Sequence, residues 1–137
     1  MSPAGYSGTP LARKLGIPEG GSFVTFGAPA NYDDLVAPLA AGTKRVTRAG
    51  KAASFVHVFS TRKADLAAHL KTLRKSIAQD GVVWVSWPKK ASKVATDITE
   101  DAIRAVALPM GFVDVKVCAV DETWSGLKLV IRKTERK

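Results

Sequence analysis

Cysteine is nearly absent from this sequence, which contains one thiol, Cys118. A single cysteine excludes an internal disulfide and a metal site built from several thiolates. In an alternating strand pattern, Cys118 falls on the face opposite Val115 and Val117. We interpret it as a small structural thiol rather than a nucleophile.

Long apolar runs are also lacking. The longest apolar stretches are the size of strands, well short of the roughly 20 residues that a bilayer-spanning helix needs. The first residues, Met1 to Tyr6, contain no basic region followed by an apolar one, so no secretory signal is visible. We therefore expect a cytoplasmic protein without a membrane partner.

Acidic residues are outnumbered, since 12 Asp and Glu face 21 Lys and Arg, which gives a formal net charge of +9. Such an excess attracts phosphate backbones or acidic partners without specifying one. Nucleic acid is therefore an alternative partner. Against it, aromatic residues do not interleave with the basic ones as single-strand binders prefer. The groups that would carry such binding are the basic face of the main helix, Lys44, Arg45, Arg48, Lys51 and the tail from Arg132 to Lys137.

Recognised catalytic signatures are missing too. The sequence has no G-x-S-x-G elbow, H-E-x-x-H motif, phosphate-binding loop or C-x-x-C pair. Its two histidines, His57 in an apolar segment and His69 in a helical one, have no adjacent nucleophile or metal partner. We assign no catalytic residue, metal or cofactor, and expect a protein that is not an enzyme of a standard class.

The length of 137 residues suits one domain with a single core. We divide it into an N-terminal helix and turn (1–20), an α/β core (21–133) and a basic tail (134–137). Two apolar segments, Phe55–Phe59 and Val82–Ser86, are typical of strands covered on both faces.

Between these two strands, apolar residues recur four, three and four positions apart, which predicts a helix from Arg62 to Ala78. The residues of this apolar stripe are Leu66, Leu70, Leu73 and Ile77. Asp80-Gly81 is interpreted as a turn into the second strand. Further along, Asp97 with Glu100 matches a capping box that opens a helix to about Met110.

The C-terminal segment alternates in polarity, which is typical of a hairpin with one solvated face. Val113, Val115 and Val117 are predicted to share one strand face, and Leu127 and Leu129 belong to the second strand. Helices between the earlier strands favour parallel crossovers. The sequence thus predicts a three-layer Rossmann-like α/β sandwich, with a mostly parallel sheet and an antiparallel C-terminal hairpin.

Two connections that contain tryptophan follow predicted strand ends, where open α/β sheets usually bind ligands. We predict that they converge at one rim, where lysines could hold an anion and tryptophan could supply a stacking surface. A solvated lysine cluster and a structural tryptophan plug remain the alternatives. The candidate ligand-binding residues are Trp87, Lys89, Lys90, Asp121, Glu122 and Trp124.

A dinucleotide or adenosyl-methionine site would need a glycine-rich turn after the first strand. This turn contains one glycine, Gly27. Asp33 and Asp34 then occupy the first turn of the next predicted helix, where they would repel a phosphate. We therefore expect no nucleotide at the first crossover.

Three segments resemble the signatures of the bacterial domain-of-unknown-function family 3052: 5–11 (GYSGTPL), 83–90 (VWVSWPKK) and 117–128 (VCAVDETWSGLK). The resemblance covers nearly the whole chain and implies no reaction. More distantly, the later elements are similar to the second half of class I methyltransferases. Where those enzymes have a glycine-rich motif and an acidic residue, this chain has Phe26–Pro29 and Val46–Arg48, which argues against binding of the methyl donor.

Three functional hypotheses follow from these patterns. The first is a small non-catalytic module that binds an anionic ligand or a protein partner at the tryptophan connections. The second is a basic nucleic-acid-binding protein. The third is a divergent methyltransferase-like enzyme in which Lys89, Asp121 or Glu122 acts as an acid, base or electrostatic group.

Overall fold

The computed structural model describes residues 9–48 and 53–137. Several features of the sequence analysis therefore lie outside the described residues, namely positions 1–8 of the N-terminal unit, which include 5–8 of the first signature segment, and Lys51. In the described part of the chain, no helix is both long and apolar enough to cross a membrane.

The chain forms four α-helices and six strands in the described residues. The helices are α1 (Leu11–Leu15), α2 (Tyr32–Val36), α3 (Lys63–Ser76) and α4 (Glu100–Ala107). The strands are β1 (Gly21–Phe26), β2 (Thr43–Val46), β3 (Ala53–Phe59), β4 (Ile77–Pro88), β5 (Phe112–Ala119) and β6 (Trp124–Ile131).

All six strands form one sheet in the order β2-β1-β3-β4-β6-β5. The first four in this order run parallel, whereas β6 is antiparallel to both β4 and β5. This arrangement confirms the predicted fold class. It also brings the carboxyl ends of β1, β3 and β4 to the same edge of the sheet, where ligand sites of open α/β sheets are usually found.

Helices cover both faces of the sheet. Helices α3 and α4 pack on one face through Leu66, Leu70 and Ile103, while α1 and α2 pack on the other through Leu15 and Tyr32. We call these the α3 face and the α1 face. Since apolar side chains are buried on both sides, β3 and β4 read as continuous apolar runs in the sequence.

Helix α3 forms where the leucine spacing predicts it, but it ends at Ser76. The next residue, Ile77, already belongs to β4 and lies opposite Ala53. The register of the pairing with β3 then shifts, so that Phe55 lies opposite Val82. The prediction that β4 begins at Val82 after an Asp80-Gly81 turn is therefore wrong in its bounds, although regular pairing does start there.

The capping box predicted for α4 does not form. Thr99 is the N-cap residue, and its hydroxyl accepts a hydrogen bond from the backbone N–H of Ala102 (3.0 Å). The Asp97 carboxylate instead accepts from the backbone N–H of Lys63 (2.7 Å), at the first turn of α3. Asp97 thus satisfies an unpaired donor of a different helix, which no local pattern encodes.

The C-terminal hairpin forms as predicted, but a register shift between Asp114 and Lys116 interrupts β5. Val113 and Lys116 lie opposite Val130 and Lys128, on one face of the sheet. The prediction that Val113, Val115 and Val117 share a face is wrong, because the extra residue reverses the alternation.

Cys118 lies beyond this shift, opposite Gly126, and is 9% exposed on the α1 face. Burial raises the pKa of its thiol above the ordinary value. Both observations fit a structural thiol, since a reactive cysteine needs access and a lowered pKa.

Candidate functional site

A cavity of about 630 Å3 opens at the carboxyl ends of β1 and β3, beside α3. This volume lies within the range of about 300–1,000 Å3 that is typical of small-molecule sites. On the side of the sheet, it is lined by Phe26, Gly27, Phe59 and Ser60 from the strand ends, and by Trp124 at the start of β6.

Aromatic rings form two parts of the cavity lining. Phe26 packs against His69 of α3 with ring centroids 5.1 Å apart and planes 30° apart. Phe59 meets Trp124 edge to face, with centroids 5.0 Å apart and planes 86° apart. Such rings offer stacking surfaces to a planar ligand.

Helix α3 supplies the other side of the cavity through Leu73 and through one stripe of its surface, at Asp65, Ala68, His69, Thr72 and Ser76. These positions recur at three and four residues, so they lie along one line of the helix. The stripe borders the buried leucine stripe and is composed of small and polar residues. Sequence reasoning missed it, since such a stripe is also typical of a solvated helix face.

Charge within the cavity differs from the charge of the whole chain. Asp65 is the one carboxylate in the lining, and no lysine or arginine of the described residues lines the cavity. The chain nevertheless carries a formal charge of +9. The lining therefore suits a neutral or cationic ligand better than a phosphorylated one.

The turn after β1 is closed by the protein itself. Gly27 has φ +67°, and a Cβ added there would lie 2.6 Å from the carbonyl oxygen of Phe59. Glycine is required at this position because β3 packs against it. Pro29, two residues on, has no backbone N–H to offer.

The first turn of α2 carries an ion pair with β2. Asp33 accepts hydrogen bonds from Arg45 of β2 (2.7 and 3.1 Å). The Arg45 guanidinium holds the pKa of the Asp33 carboxyl below its usual value. The Asp33 carboxylate is thus held in an ion pair at the start of α2.

The two tryptophan connections do meet. Pro88 is opposite Trp124 in the β4–β6 ladder, and the backbone N–H of Lys89 donates to the carbonyl of Thr123 (2.7 Å). The Asp121 carboxylate accepts from the backbone N–H groups of Thr123 and Trp124 (2.8 Å each). Asp121 therefore holds the turn that places Trp124.

The two indoles nevertheless lie on different faces of the sheet. Trp87 is 8% exposed and packs within the core of the α3 face, whereas Trp124 packs against the core of the α1 face and lines the cavity. Lys90 and Glu122 are exposed, and Lys89 is partly so. Of the six candidate ligand-binding residues, Trp124 lines the cavity. That these six residues contact a ligand stays a prediction.

A buried polar chain lies directly behind the cavity wall. The Tyr32 hydroxyl is 3.1 Å from Nδ1 of His57, and the Nε2 of His57 is 2.7 Å from the hydroxyl of Ser86. All three side chains are fully buried, and burial lowers the pKa of His57 to about 3. His57 is thus a neutral core histidine.

The described ranges, 9–48 and 53–137, contain no group of three or more His, Cys, Asp or Glu side chains that could hold an ion.

Strand order, strand sense and two helical layers together define a Rossmann-like α/β fold. No known family model matches the chain, and no curated protein matches it. Solved structures do. A protein from Sulfolobus solfataricus assigned to the type 11 methyltransferases is similar with a TM-score of 0.63 at 11% identity, over 93% of this chain and 92% of that one.

Two further structures show the same likeness. The N-methyltransferase NodS from Bradyrhizobium japonicum WM9 has a TM-score of 0.59 at 12% identity, over 90% of this chain and 93% of its own. LepI in complex with SAM has a TM-score of 0.61 at 9% identity over 90% of this chain, which spans about half of LepI (47%). At such low identities the likeness shows the fold alone.

Proposed function

We propose that this chain is a divergent methyltransferase-like domain that binds an adenosyl ligand in the strand-end cavity. The observation that carries this assignment is the cavity itself, which opens at the carboxyl ends of β1 and β3 in a fold shared with methyltransferases. SAM, which the LepI complex contains, is the first ligand to test.

The lining fits the adenosyl part of such a ligand. A purine can stack on the ring of Trp124 or on the ring of Phe26. Thr61 and Thr72 line the same space, and threonine hydroxyls can pair with ribose hydroxyls. Asp65 favours a positively charged sulfonium or ammonium group over a phosphate.

The amino-acid part of SAM has no glycine-rich cradle, since the first turn is filled by the Phe59 carbonyl. The sequence argument against a donor at that turn therefore still applies. In our proposal, the ligand is held by the rings and the α3 stripe instead. When bound, SAM supplies an activated methyl group, while this chain's own residues bind it, orient it and exclude water.

Blocking the cavity from its rim tests this assignment. Ala68 lines the cavity on an exposed part of α3, whereas Ala64 is exposed on the same helix outside the lining. We expect SAM and its demethylated product SAH to bind the unmodified chain in isothermal titration calorimetry. Ala68→Trp should weaken that binding at least tenfold, and Ala64→Trp should leave it unchanged.

Three outcomes would refute the assignment: no binding of either ligand, equal loss in both variants, or unchanged binding in Ala68→Trp. ATP serves as the phosphorylated comparison ligand. Because Asp65 is the one charged side chain in the lining, we expect ATP to bind more weakly than SAM.

A non-catalytic binding module is the second candidate, favoured by the meeting of the two tryptophan connections at Lys89 and Thr123. Its ligand would be an anion or a protein held at these two connections, where Lys89 and Lys90 attract negative charge. Lys89→Ala/Lys90→Ala should then abolish capture of the partner in a pull-down while SAM binding is unaffected. Retained capture would exclude this role for the lysines.

Three other expectations stay predictions: membership of the domain-of-unknown-function family 3052, a bacterial origin and a cytoplasmic location. Nucleic-acid binding through the net charge of +9 is a further proposal. If phosphate contacts dominate, affinity for random oligonucleotides should fall steeply with added salt. Absence of binding at low salt would exclude it.

A further inference from the structure

Tyr32, His57 and Ser86 form a buried polar chain in an otherwise apolar part of the fold. It lies between apolar residues of the α1 face, and each of its members comes from a different element, α2, β3 or β4. Buried polar groups are tolerated where every one is paired. Within the described residues, no buried side-chain nitrogen or oxygen lacks a hydrogen-bond partner.

Both ring nitrogens of His57 are engaged, one by Tyr32 and the other by Ser86. A neutral imidazole has one donor and one acceptor nitrogen, so two hydroxyl partners satisfy it completely. Rotation of the ring about its Cβ–Cγ bond would break both contacts and leave both nitrogens unpaired in the core. The plane of the His57 ring is therefore fixed from two sides.

That plane determines where Phe59 can lie. The rings of His57 and Phe59 are stacked, with centroids 4.3 Å apart and planes 27° apart. Tyr32 meets Phe59 edge to face at 5.6 Å. Phe59 in turn supports Trp124, whose ring lines the cavity. A continuous set of ring contacts thus leads from the polar chain to the cavity wall.

We infer that His57 is a positioning residue for the cavity: its ring, held by the hydroxyls of Tyr32 and Ser86, fixes Phe59 and through it the indole of Trp124. A merely structural role would contribute stability without setting the position of Trp124. The inference concerns the site in our proposed function, but the position of Trp124 can be measured without any ligand.

Incorporation of 5-fluorotryptophan gives a fluorine NMR resonance for each of the three tryptophans, and Trp124→Phe assigns the one that matters. In Tyr32→Phe and Ser86→Ala, we expect the Trp124 resonance to shift and broaden, and more so in the double variant. The Trp87 resonance should stay in place, because Trp87 packs on the opposite face. Ile131→Val, a core truncation on that opposite face, is the control for lowered stability.

An unchanged Trp124 resonance in the double variant would overturn the inference, as would an equal change in Ile131→Val. Where SAM binds, the double variant should also lower its affinity by about threefold to tenfold, the range for disturbing one or two hydrogen-bonded supports. If no adenosyl ligand binds the unmodified chain, our proposed function fails while the ligand-free NMR result still decides the inference.

Discussion

Replacing Gly27 with alanine distinguishes a glycine kept for packing from one kept for a ligand. The added Cβ would lie 2.6 Å from the carbonyl oxygen of Phe59, on a residue with φ +67°. A left-handed backbone costs an L-residue about 1–2 kcal/mol, and overpacking of a tight contact costs about 1–3 kcal/mol more. We expect Gly27→Ala to lower the free energy of unfolding by about 2–5 kcal/mol.

Gly16→Ala is the matched control. Gly16 has φ +77°, and a Cβ added there would meet nothing within 4 Å. It should therefore incur the backbone cost alone, so that the two variants differ by about 1–3 kcal/mol, the packing part.

Urea unfolding of the ligand-free protein measures both changes. With a slope of about 2 kcal/mol/M, the midpoint of Gly27→Ala should fall by about 1–2.5 M. If Gly27→Ala is no less stable than Gly16→Ala, the contact with Phe59 does not constrain the turn. The space beside Gly27 would then be open to a ligand, and our argument against a cradle at the first crossover would fail.

Two other predictions concern acid stability and helix capping. Burial lowers the pKa of His57 from its ordinary value of 6.5 to about 3 in the folded protein. The unfolded chain therefore binds a proton at His57 at a higher pH than the folded protein does. The stability that is present above pH 6.5 is lost as the pH falls towards 3. Between about pH 6 and 4.5, His57 should contribute a fall in the free energy of unfolding of up to about 1.4 kcal/mol per pH unit. His57→Leu should remove this contribution and flatten the slope in denaturant titrations; an unchanged slope would contradict the prediction. Thr99→Ala and Asp97→Ala should each lower stability by about 1 kcal/mol, because they cap α4 and α3 respectively. If hydrogen exchange in Asp97→Ala speeds up in α4 rather than at the start of α3, our assignment of the Asp97 cap is wrong.

Periodicity of apolar residues was sufficient to predict the main helix and the fold class. Leu66, Leu70 and Leu73 are each at most 2% exposed, as their spacing requires of a stripe that faces the sheet. Strand polarity likewise indicated buried central strands and a hairpin, because burial on one or two faces leaves a direct pattern in the sequence.

Features that depend on distant residues could not be predicted in this way. Asp97 has the spacing of a local cap, yet its partner, Lys63, is 34 positions away. The cavity stripe of α3 looks like a solvated face until the ends of β1 and β3 are placed beside it. A single extra residue in β5 changes the faces of Val115 and Val117 without altering composition or turn signals.

Because Cys118 is buried, the rate at which its thiol reacts reports on local unfolding of this chain. As the sole thiol, 9% exposed and with a raised pKa, it should react with a maleimide or a disulfide reagent only when the C-terminal hairpin opens. Labelling rates on the unmodified protein would therefore give the opening free energy at this edge of the sheet, with no engineered probe.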